Sequence, residues 1–189
     1  MVENNVSMNP DNLKKQEICG EKIYLRPIEI SDVTKNYVKW LNNERINQFL
    51  ETRFTKHTLD NLKDYVTKIQ NDSNFLFFAI IKNDSKKHIG NIKLGPINLI
   101  HKSADMGILI GDMDSWGKGY ATDAIKTLTN FSFNNLNLHK ITAGLYEENV
   151  GSLKAFLKSG FELEGFRKEQ FLFNKKYVGH MLVGKINKK

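Results

Sequence analysis

The chain has 189 residues, of which 40% are hydrophobic and 26% charged, as is typical of one ordinary domain. A single cysteine, Cys19, excludes a disulfide framework and a cysteine-based zinc site, and suggests a reducing compartment. No apolar run approaches the roughly 20 residues of a membrane span, and the polar N-terminus lacks the apolar stretch of a signal peptide. We therefore expect a cytoplasmic protein without a membrane segment.

The net charge is +7, from 28 basic and 21 acidic residues. Such a balance suits a nucleic acid, an acidic membrane surface or an anionic small molecule, and it also simply keeps a Lys-rich chain in solution. The lysines are spread along the chain, and no Arg-rich arm or helix-turn-helix pattern is present. A nucleic-acid partner is therefore disfavoured.

The first third of the chain predicts a strand followed by two helices. Residues 1–20 have no hydrophobic periodicity and are predicted to form a flexible leader. Lys22–Pro27 is typical of a strand, and Ser31-Asp32 favours the start of a helix. A short segment, Arg45–Leu50, separates this helix from a second one that Thr58 caps.

The rest of the chain alternates hairpins with single helices. The patterns predict one α+β domain, residues 21–189, with a mixed sheet. The strands are expected at Phe75–Ile81, Lys87–Leu94, Ser103–Gly111, Ile141–Leu145, Phe161–Phe173 and Tyr177–Ile186, and the helices at Tyr120–Phe133 and Gly151–Ser159.

A glycine-rich turn between a strand and a helix is the most informative stretch. Gly117 and Gly119 allow a tight turn, and the first helical N–H groups after it have no partner within the helix. Such a turn binds phosphate well, because the helix dipole adds positive potential. The stretch matches neither a Walker loop nor the dinucleotide fingerprint. A turn without any ligand is the alternative.

A second stretch begins at Asn149 and ends at Gly160-Phe161. Asn149 suits the N-cap of a helix, and Gly160 suits the left-handed position that ends one. Taken alone, this is an ordinary helix between two strands, with Asn149 as a mere cap.

Together the two stretches resemble the GNAT superfamily of acyl-CoA-dependent N-acyltransferases. Its pyrophosphate loop, Q/R-x-x-G-x-G/A, corresponds to Trp116–Ala121, with Trp116 in place of Gln or Arg. Its N-x-x-S…G-F signature corresponds to Asn149, Ser152, Gly160 and Phe161. The resemblance covers about residues 21–187. It is strongest to the branch of ribosomal-protein N-terminal and spermidine acetyltransferases, to which Leu25-Arg26-Pro27 and Leu163-Glu164-Gly165 are also similar.

This resemblance implies a GNAT-like α+β fold with a mixed, mostly antiparallel sheet, a V-shaped gap in the sheet and helices on both faces. It also implies acetyl-CoA as co-substrate, with no metal. The residues expected to bind the cofactor are Leu109, Ile110, Gly111, Trp116, Gly117, Lys118, Gly119, Tyr120, Ala121, Thr122, Asn149, Phe156 and Lys158.

The family's reaction is direct attack of an amine on the thioester, which needs orientation, a route for the amine proton and a proton donor for the thiolate. Many relatives use a tyrosine as that donor, but the corresponding residue here is Phe156. We therefore expect Ser152 to act as the acid, with Asn149 beside it. The branch's glutamate corresponds to Phe171, which leaves as candidate bases Glu44, Asp105, Glu169, His180 or water.

The amine substrate is expected to contact Trp40, Glu44 and Phe54 in the early helical region. Two facing aromatic rings would suit a nucleobase, as in the microcin C self-immunity acetyltransferase, which acts on an aminoacyl-nucleotide antibiotic. Packing in the core is the alternative for such aromatic residues. Other expected amines are peptide N-termini, including those of ribosomal proteins, and amino sugars. Phe156 and Phe171 stand in place of polar groups, which leaves open an alternative function: a sensor that binds acyl-CoA without catalysis. Either a monomer or a homodimer is expected.

Overall fold

A computed structural model describes residues 13–188, in which eight strands form one sheet in the order β1-β2-β3-β4-β5-β6-β8-β7. The strands are β1 Ile18–Cys19, β2 Ile23–Pro27, β3 Leu76–Lys82, β4 His88–Leu94, β5 Ser103–Ile110, β6 Lys140–Tyr146, β7 Glu162–Phe173 and β8 Lys176–Ile186. The α-helices are α1 Lys35–Asn42, α2 Glu44–Asn47, α3 Leu59–Gln70, α4 Tyr120–Asn135 and α5 Val150–Lys158, and 3-10 turns lie at Ile30–Asp32, Glu51–Phe54 and Met113–Ser115.

The start of the first α-helix differs from the prediction. Thr34 is its N-cap, where the side chain accepts a hydrogen bond from the Tyr37 amide at 3.4 Å. Asp32 instead ends a separate 3-10 turn, because its carboxylate pairs with Arg26 at 2.6 Å. The same carboxylate accepts from the Glu29 amide at 2.7 Å, and with Asp32 engaged in that turn α1 begins later, at Lys35.

Part of the predicted leader packs against the domain. Leu13 is 0% exposed within the main core, and Ile18 pairs with Leu25 as β1 adds to the edge of β2. Residues 1–12 of that prediction lie outside the described residues. Residues 13–20 therefore belong to the packed domain, since apolar burial of Leu13 and the β1–β2 hydrogen bonds hold them in place.

Two hydrophobic cores lie on opposite faces of the sheet. Alternation along β3 sends Phe78 and Ile80 into one core and Ala79 and Ile81 into the other. The first core contains α4 and α5, and the second contains α1 and α3. Helices on both faces of a mostly antiparallel sheet confirm the predicted fold class, the GNAT-like α+β architecture.

The sheet is split where β5 and β6 diverge. These parallel neighbours pair only through Ser103–Asp105 and Lys140–Thr142. Beyond that point β5 continues to pair with β4 as far as Ile110, and β6 with β8 as far as Tyr146. The result is the predicted V-shaped gap, bounded by residues 106–110 on one side and 143–146 on the other.

Asp123 joins the first turn of α4 to the start of β2. Its carboxylate accepts backbone hydrogen bonds from Glu21 at 3.2 Å, Lys22 at 2.7 Å and Ile23 at 3.1 Å. One side chain therefore satisfies three consecutive N–H groups, about 100 residues away in sequence. The negative charge also lies at the positive end of the α4 dipole, which stabilises it further.

Replacing Asp123 by alanine is expected to lower the free energy of unfolding by about 1–2 kcal/mol, since hydrogen bonds to a charged group are stronger than neutral ones. Thermal melting measures this as a fall of roughly 3–6 °C for a domain of this size. Asp60→Ala is the matched control, because Asp60 is an exposed acid in the first turn of α3. Equal losses in both variants would reduce the role of Asp123 to a helix-dipole effect.

Candidate functional site

The edge of β5 presents free backbone groups to the gap. The Gly111 amide donates to the Ile89 carbonyl at 2.9 Å, which places odd-numbered residues of β5 in the hydrogen-bonded pairs with β4. In an antiparallel ladder the alternate residues then turn their N–H and C=O groups to the opposite edge. The backbone groups of Ile108 and the amide of Ile110 therefore face the gap, where an extended ligand can pair with them.

The turn after β5 is held by side chains of its own. The Trp116 indole N–H donates to the Ile110 carbonyl at 2.8 Å. Ser115 donates to the Asp112 carboxylate at 2.6 Å, and Lys87 pairs with the same carboxylate at 2.9 Å. Burial alone would raise the pKa of Asp112, but these two hydrogen bonds outweigh it and lower the pKa. Asp112 therefore stays ionised and fixes the turn.

The segment Trp116–Thr122, called here the glycine loop, has the backbone shape predicted from its glycines. Gly119 is the N-cap of α4 with φ 86°, and Gly117 has φ 72°. No side chain caps the helix, so the first amides of α4 keep their donors for another partner. Around a Cβ placed on Gly117, no atom of the described chain lies within 4 Å, so the loop is open on that side.

Lys22 is a basic residue at the glycine loop that sequence reasoning missed. Its Nζ donates to the Lys118 carbonyl at 3.1 Å and lies 3.5 Å from the place of a Cβ on Gly119. Lys82 lies over the Tyr120 ring at 5.2 Å. No signal near the loop identifies Lys22, because it is the residue just before β2 and the fold of the sheet brings it there.

Helix α5 starts beside the end of β6 and ends beside the glycine loop. The Asn149 side chain accepts from the Ser152 amide at 3.2 Å, which confirms the predicted cap. At the other end Ser159 donates to the Thr122 carbonyl at 3.2 Å. The exposed Lys158 is thereby held near the first turn of α4. The structure thus brings together both predicted stretches.

Phe156 does not have the position that cofactor binding requires. Its side chain is 1% exposed and packs edge-on against Phe161 with ring centroids 5.0 Å apart. The prediction that Phe156 contacts the cofactor is corrected, since helix α5 turns this side chain into the main core. Its neighbour one turn earlier, Ser152, remains partly exposed.

Beyond the gap, β5, β6 and β8 share a face that we call the open face, which carries Asp105, Gly107, Thr142, Gly144 and His180. Ala104 and Met106 of β5 and Ala143 of β6 point into the main core, so their neighbours point the opposite way. Asp105, Gly107 and Gly144 are exposed. The floor of the gap is thus glycine backbone, bare at Gly107, which gives a second reactant access from this side.

An aromatic and charged cluster borders the open face at the end of β6. The Tyr146 hydroxyl donates to Glu51 and accepts from Arg53 at 2.8 Å. Its ring stacks on Phe171 at 4.2 Å with an interplanar angle of 17°. Burial and the hydrogen bond to Glu51 raise the pKa of Tyr146, so the phenol stays protonated. Phe171 thus stacks on Tyr146 at the position that corresponds to the glutamate of the ribosomal-protein acetyltransferase branch.

Trp40 lies over Gly111 and leaves no room there for a side chain. Its ring contacts His88 at 5.1 Å and lines a cavity of about 240 Å³. Phe54 is 74% exposed, under Arg53 at 4.2 Å, and Glu44 is exposed on α2. Among the described ring contacts none joins Trp40 to Phe54, and two rings on either side of a base would not touch each other, so the predicted aromatic sandwich stays a prediction. The other residues lining the cavity are Asn36, Lys39, Asn43, Ile46, Asp112, Met113 and Asp114.

Residues 13–188 contain no group of three or more His, Cys, Asp or Glu side chains arranged to hold a metal ion. Within the same part of the chain, no helix has the length and apolarity that crossing a bilayer requires. The gap and the glycine loop are thus the features that carry the site.

Known proteins share this sequence and this geometry. The family profile described as Acetyltransferase (GNAT) domain matches residues 22–162. Probable N-acetyltransferase YjcK of Bacillus subtilis is 27% identical over 175 residues, 89% of this chain and 96% of the relative. Spermidine N(1)-acetyltransferase of Vibrio cholerae is 31% identical over 160 residues, 84% and 89% respectively.

The fold is similar to that of solved structures with this activity. A crystal structure of spermidine N-acetyltransferase from Vibrio cholerae in complex with CoA and spermine has a TM-score of 0.78 at 29% identity, over 87% of this chain and 95% of the other. The split sheet and the open glycine loop lie within the segment that the family profile matches. On these grounds the chain belongs to the GNAT acetyltransferase family and is an N-acetyltransferase.

Proposed function

We propose that this enzyme transfers the acetyl group of acetyl-CoA to the primary amine of a small, positively charged molecule. The observation that carries the proposal is the gap itself, which has free backbone groups on the β5 edge and a glycine floor open to the other face. One reactant can enter along the glycine loop and the other across the open face. Such an arrangement supports direct attack within one ternary complex.

The cofactor would lie along β5 and end at the glycine loop. The pantetheine arm would pair with the gap-facing backbone of Ile108 and Ile110, in the manner of an added strand. The pyrophosphate would accept from the amides of Tyr120, Ala121 and Thr122. Basic side chains near these amides, which would balance the phosphate charge, are Lys22, Lys118 and Lys158.

Gly119→Val is expected to weaken acetyl-CoA binding at least tenfold, about 1.4 kcal/mol. A branched side chain is strained at φ 86°, and the loop would shift its amides away from the phosphate. Isothermal calorimetry with the folded variant measures the effect. Gly160→Val is the control, because Gly160 has nearly the same φ, 84°, but ends α5. Unchanged affinity in Gly119→Val would remove the loop from the cofactor site.

The reaction would use groups at the wide end of the gap, beyond the last β5–β6 pair. The amide of Ile110 is a fixed donor for the thioester oxygen as negative charge develops on it. Ser152 would protonate the departing thiolate, with Asn149 fixing the first turn of α5 through the bond to the Ser152 amide. Asn149 is thus given a positioning role.

Ser152→Ala is expected to lower kcat by about tenfold or more while acetyl-CoA affinity stays unchanged. General acid–base groups contribute typically 10²–10⁴-fold, and a thiolate, being a good leaving group, needs less help. Steady-state kinetics and calorimetry on the same preparation separate the two effects. Ser73→Ala, at an exposed loop serine, controls for the substitution itself. Wild-type kcat in Ser152→Ala would leave Ser152 with no role beyond the helix.

A cationic amine fits the charges near the gap. Asp105 is exposed on the open face, and Glu51 stands at the end of β6 with its side chain 66% exposed. Asp112 and Asp114 line the cavity beside Trp40. The name of the Vibrio cholerae relative, a spermidine acetyltransferase, supports a polyamine-like substrate. An aminoacyl-nucleotide antibiotic is the alternative substrate, with Trp40 and Phe54 as the rings that would stack on its base.

The second candidate is a non-catalytic acyl-CoA sensor, favoured by the phenylalanines at positions 156 and 171. CoA release and mass shift with a panel of polyamines, peptides, amino sugars and aminoacyl-nucleotides decide between the two. Acetylation of a polyamine at the highest kcat/KM is the expected outcome. Acetyl-CoA binding without release of CoA for any amine would favour the sensor.

A further inference from the structure

We infer that His180 is the base that removes the proton from the attacking amine. This inference rests on the proposed N-acetyl transfer. His180 lies on β8, in register with Tyr146 of β6, and its side chain points to the open face. Its imidazole leaves no room for a side chain on Gly144, so Nε2 lies directly over the glycine floor of the gap.

The position of Gly144 connects His180 to the reacting atoms. Asp105 and Thr142 form the last β5–β6 pair, and two residues further along each strand come Gly107 and Gly144. These glycines face each other across the start of the gap, on the side from which the amine enters. A base above Gly144 therefore stands beside the path of the amine towards a thioester held near Ile108 and Ile110.

The surroundings of the imidazole keep it neutral. Nδ1 is buried and has no hydrogen-bond partner among the described residues, and the Phe171 ring lies 4.8 Å from the imidazole ring. Nδ1 neither donates nor accepts a hydrogen bond among the described residues, so no hydrogen bond favours the tautomer in which Nε2 carries the proton. Nε2 can therefore present a lone pair over the gap.

Burial and the neighbouring charges also favour the neutral imidazole. Burial first, and then Arg167 on β7, lower the pKa of His180 below its ordinary value, while Asp105 and Glu51 oppose this. Tyr146, the neighbour on β6, stays protonated and uncharged. A histidine with a lowered pKa is unprotonated at pH 7 and becomes protonated only as the pH falls through that lower value.

The other candidate bases are less well placed. Asp105 accepts a hydrogen bond from the Thr142 hydroxyl and so already has a partner. Glu44 is exposed on α2, away from the floor of the gap. Glu169 is exposed in an irregular part of β7 with φ 50°. Of these four described side chains, His180 is the one whose polar atom lies directly over Gly144.

The proton balance is as follows for an ammonium substrate. His180 takes one proton from the nitrogen, which frees the lone pair for attack on the thioester carbon. The C–N bond forms, the C–S bond breaks, and the second nitrogen proton leaves to water. The thiolate takes a proton from Ser152, which solvent then reprotonates, and His180 releases its proton to solvent. The products are the amide and CoA, with no oxidant or metal required.

The test is His180→Gln with the amine that the wild type acetylates best. We expect kcat at pH 7 to fall about 100-fold, in the range of general-base effects, with acetyl-CoA affinity unchanged. The wild type should lose kcat/KM as the pH falls through a value below 6.5, and the variant should lack this limb. His139→Gln is the control, because His139 is exposed and lies just before β6, at the end of that strand that pairs with β5.

Two results distinguish the possible failures. A His180→Gln variant with wild-type kcat and the same acidic limb would overturn the assignment of the base and leave the proposed function intact. A wild type that binds acetyl-CoA but acetylates no amine would overturn the function and the base with it.

If His180→Gln has a lowered melting temperature, the test uses His180→Ala instead, assayed with added imidazole. Restored turnover supports the base, and absent rescue in a folded variant contradicts it.

Discussion

The loss of pairing between β5 and β6 is the constraint on which the rest of the site depends. Backbone N–H and C=O groups in a sheet are normally paired, and a strand edge exposed inside a domain is costly unless a ligand or water satisfies it. Here the two strands separate after Asp105 and Thr142, yet each stays fixed by its outer neighbour. The free edge is therefore rigid, and its donors point to a defined place.

The two faces of the gap have different roles because different elements cover them. On one face α4 carries the glycine loop at its start, and α5 packs beside it through the bond from Ser159 to the Thr122 carbonyl. On the other face no helix covers Gly107 and Gly144, while Tyr146 and His180 surround that opening. An anionic cofactor and a cationic amine can thus approach the same carbon from opposite sides without crossing.

Contacts between distant parts of the chain stabilise this arrangement. Asp123 in the first turn of α4 binds the backbone of residues 21–23, and Lys22 reaches back to the Lys118 carbonyl. The start of the domain and the glycine loop therefore hold each other in place. Arg53 makes a similar link, joining the Tyr146 hydroxyl to the Leu172 carbonyl in the closing hairpin.

Local patterns in the sequence determined the elements and the glycine loop. Alternation and helical spacing predict strands and helices because burial along each element follows the period of that element, and Gly117 and Gly119 suit the positive φ of the glycine loop. Even there, the pairing of Asp32 with Arg26 moved a helix start that local pattern placed earlier. Only the tertiary structure decided that Phe156 packs in the core, that Trp40 covers Gly111, and that Lys22 and His180 reach the site. Those positions depend on strand order and register between segments far apart in sequence, which no short-range pattern contains.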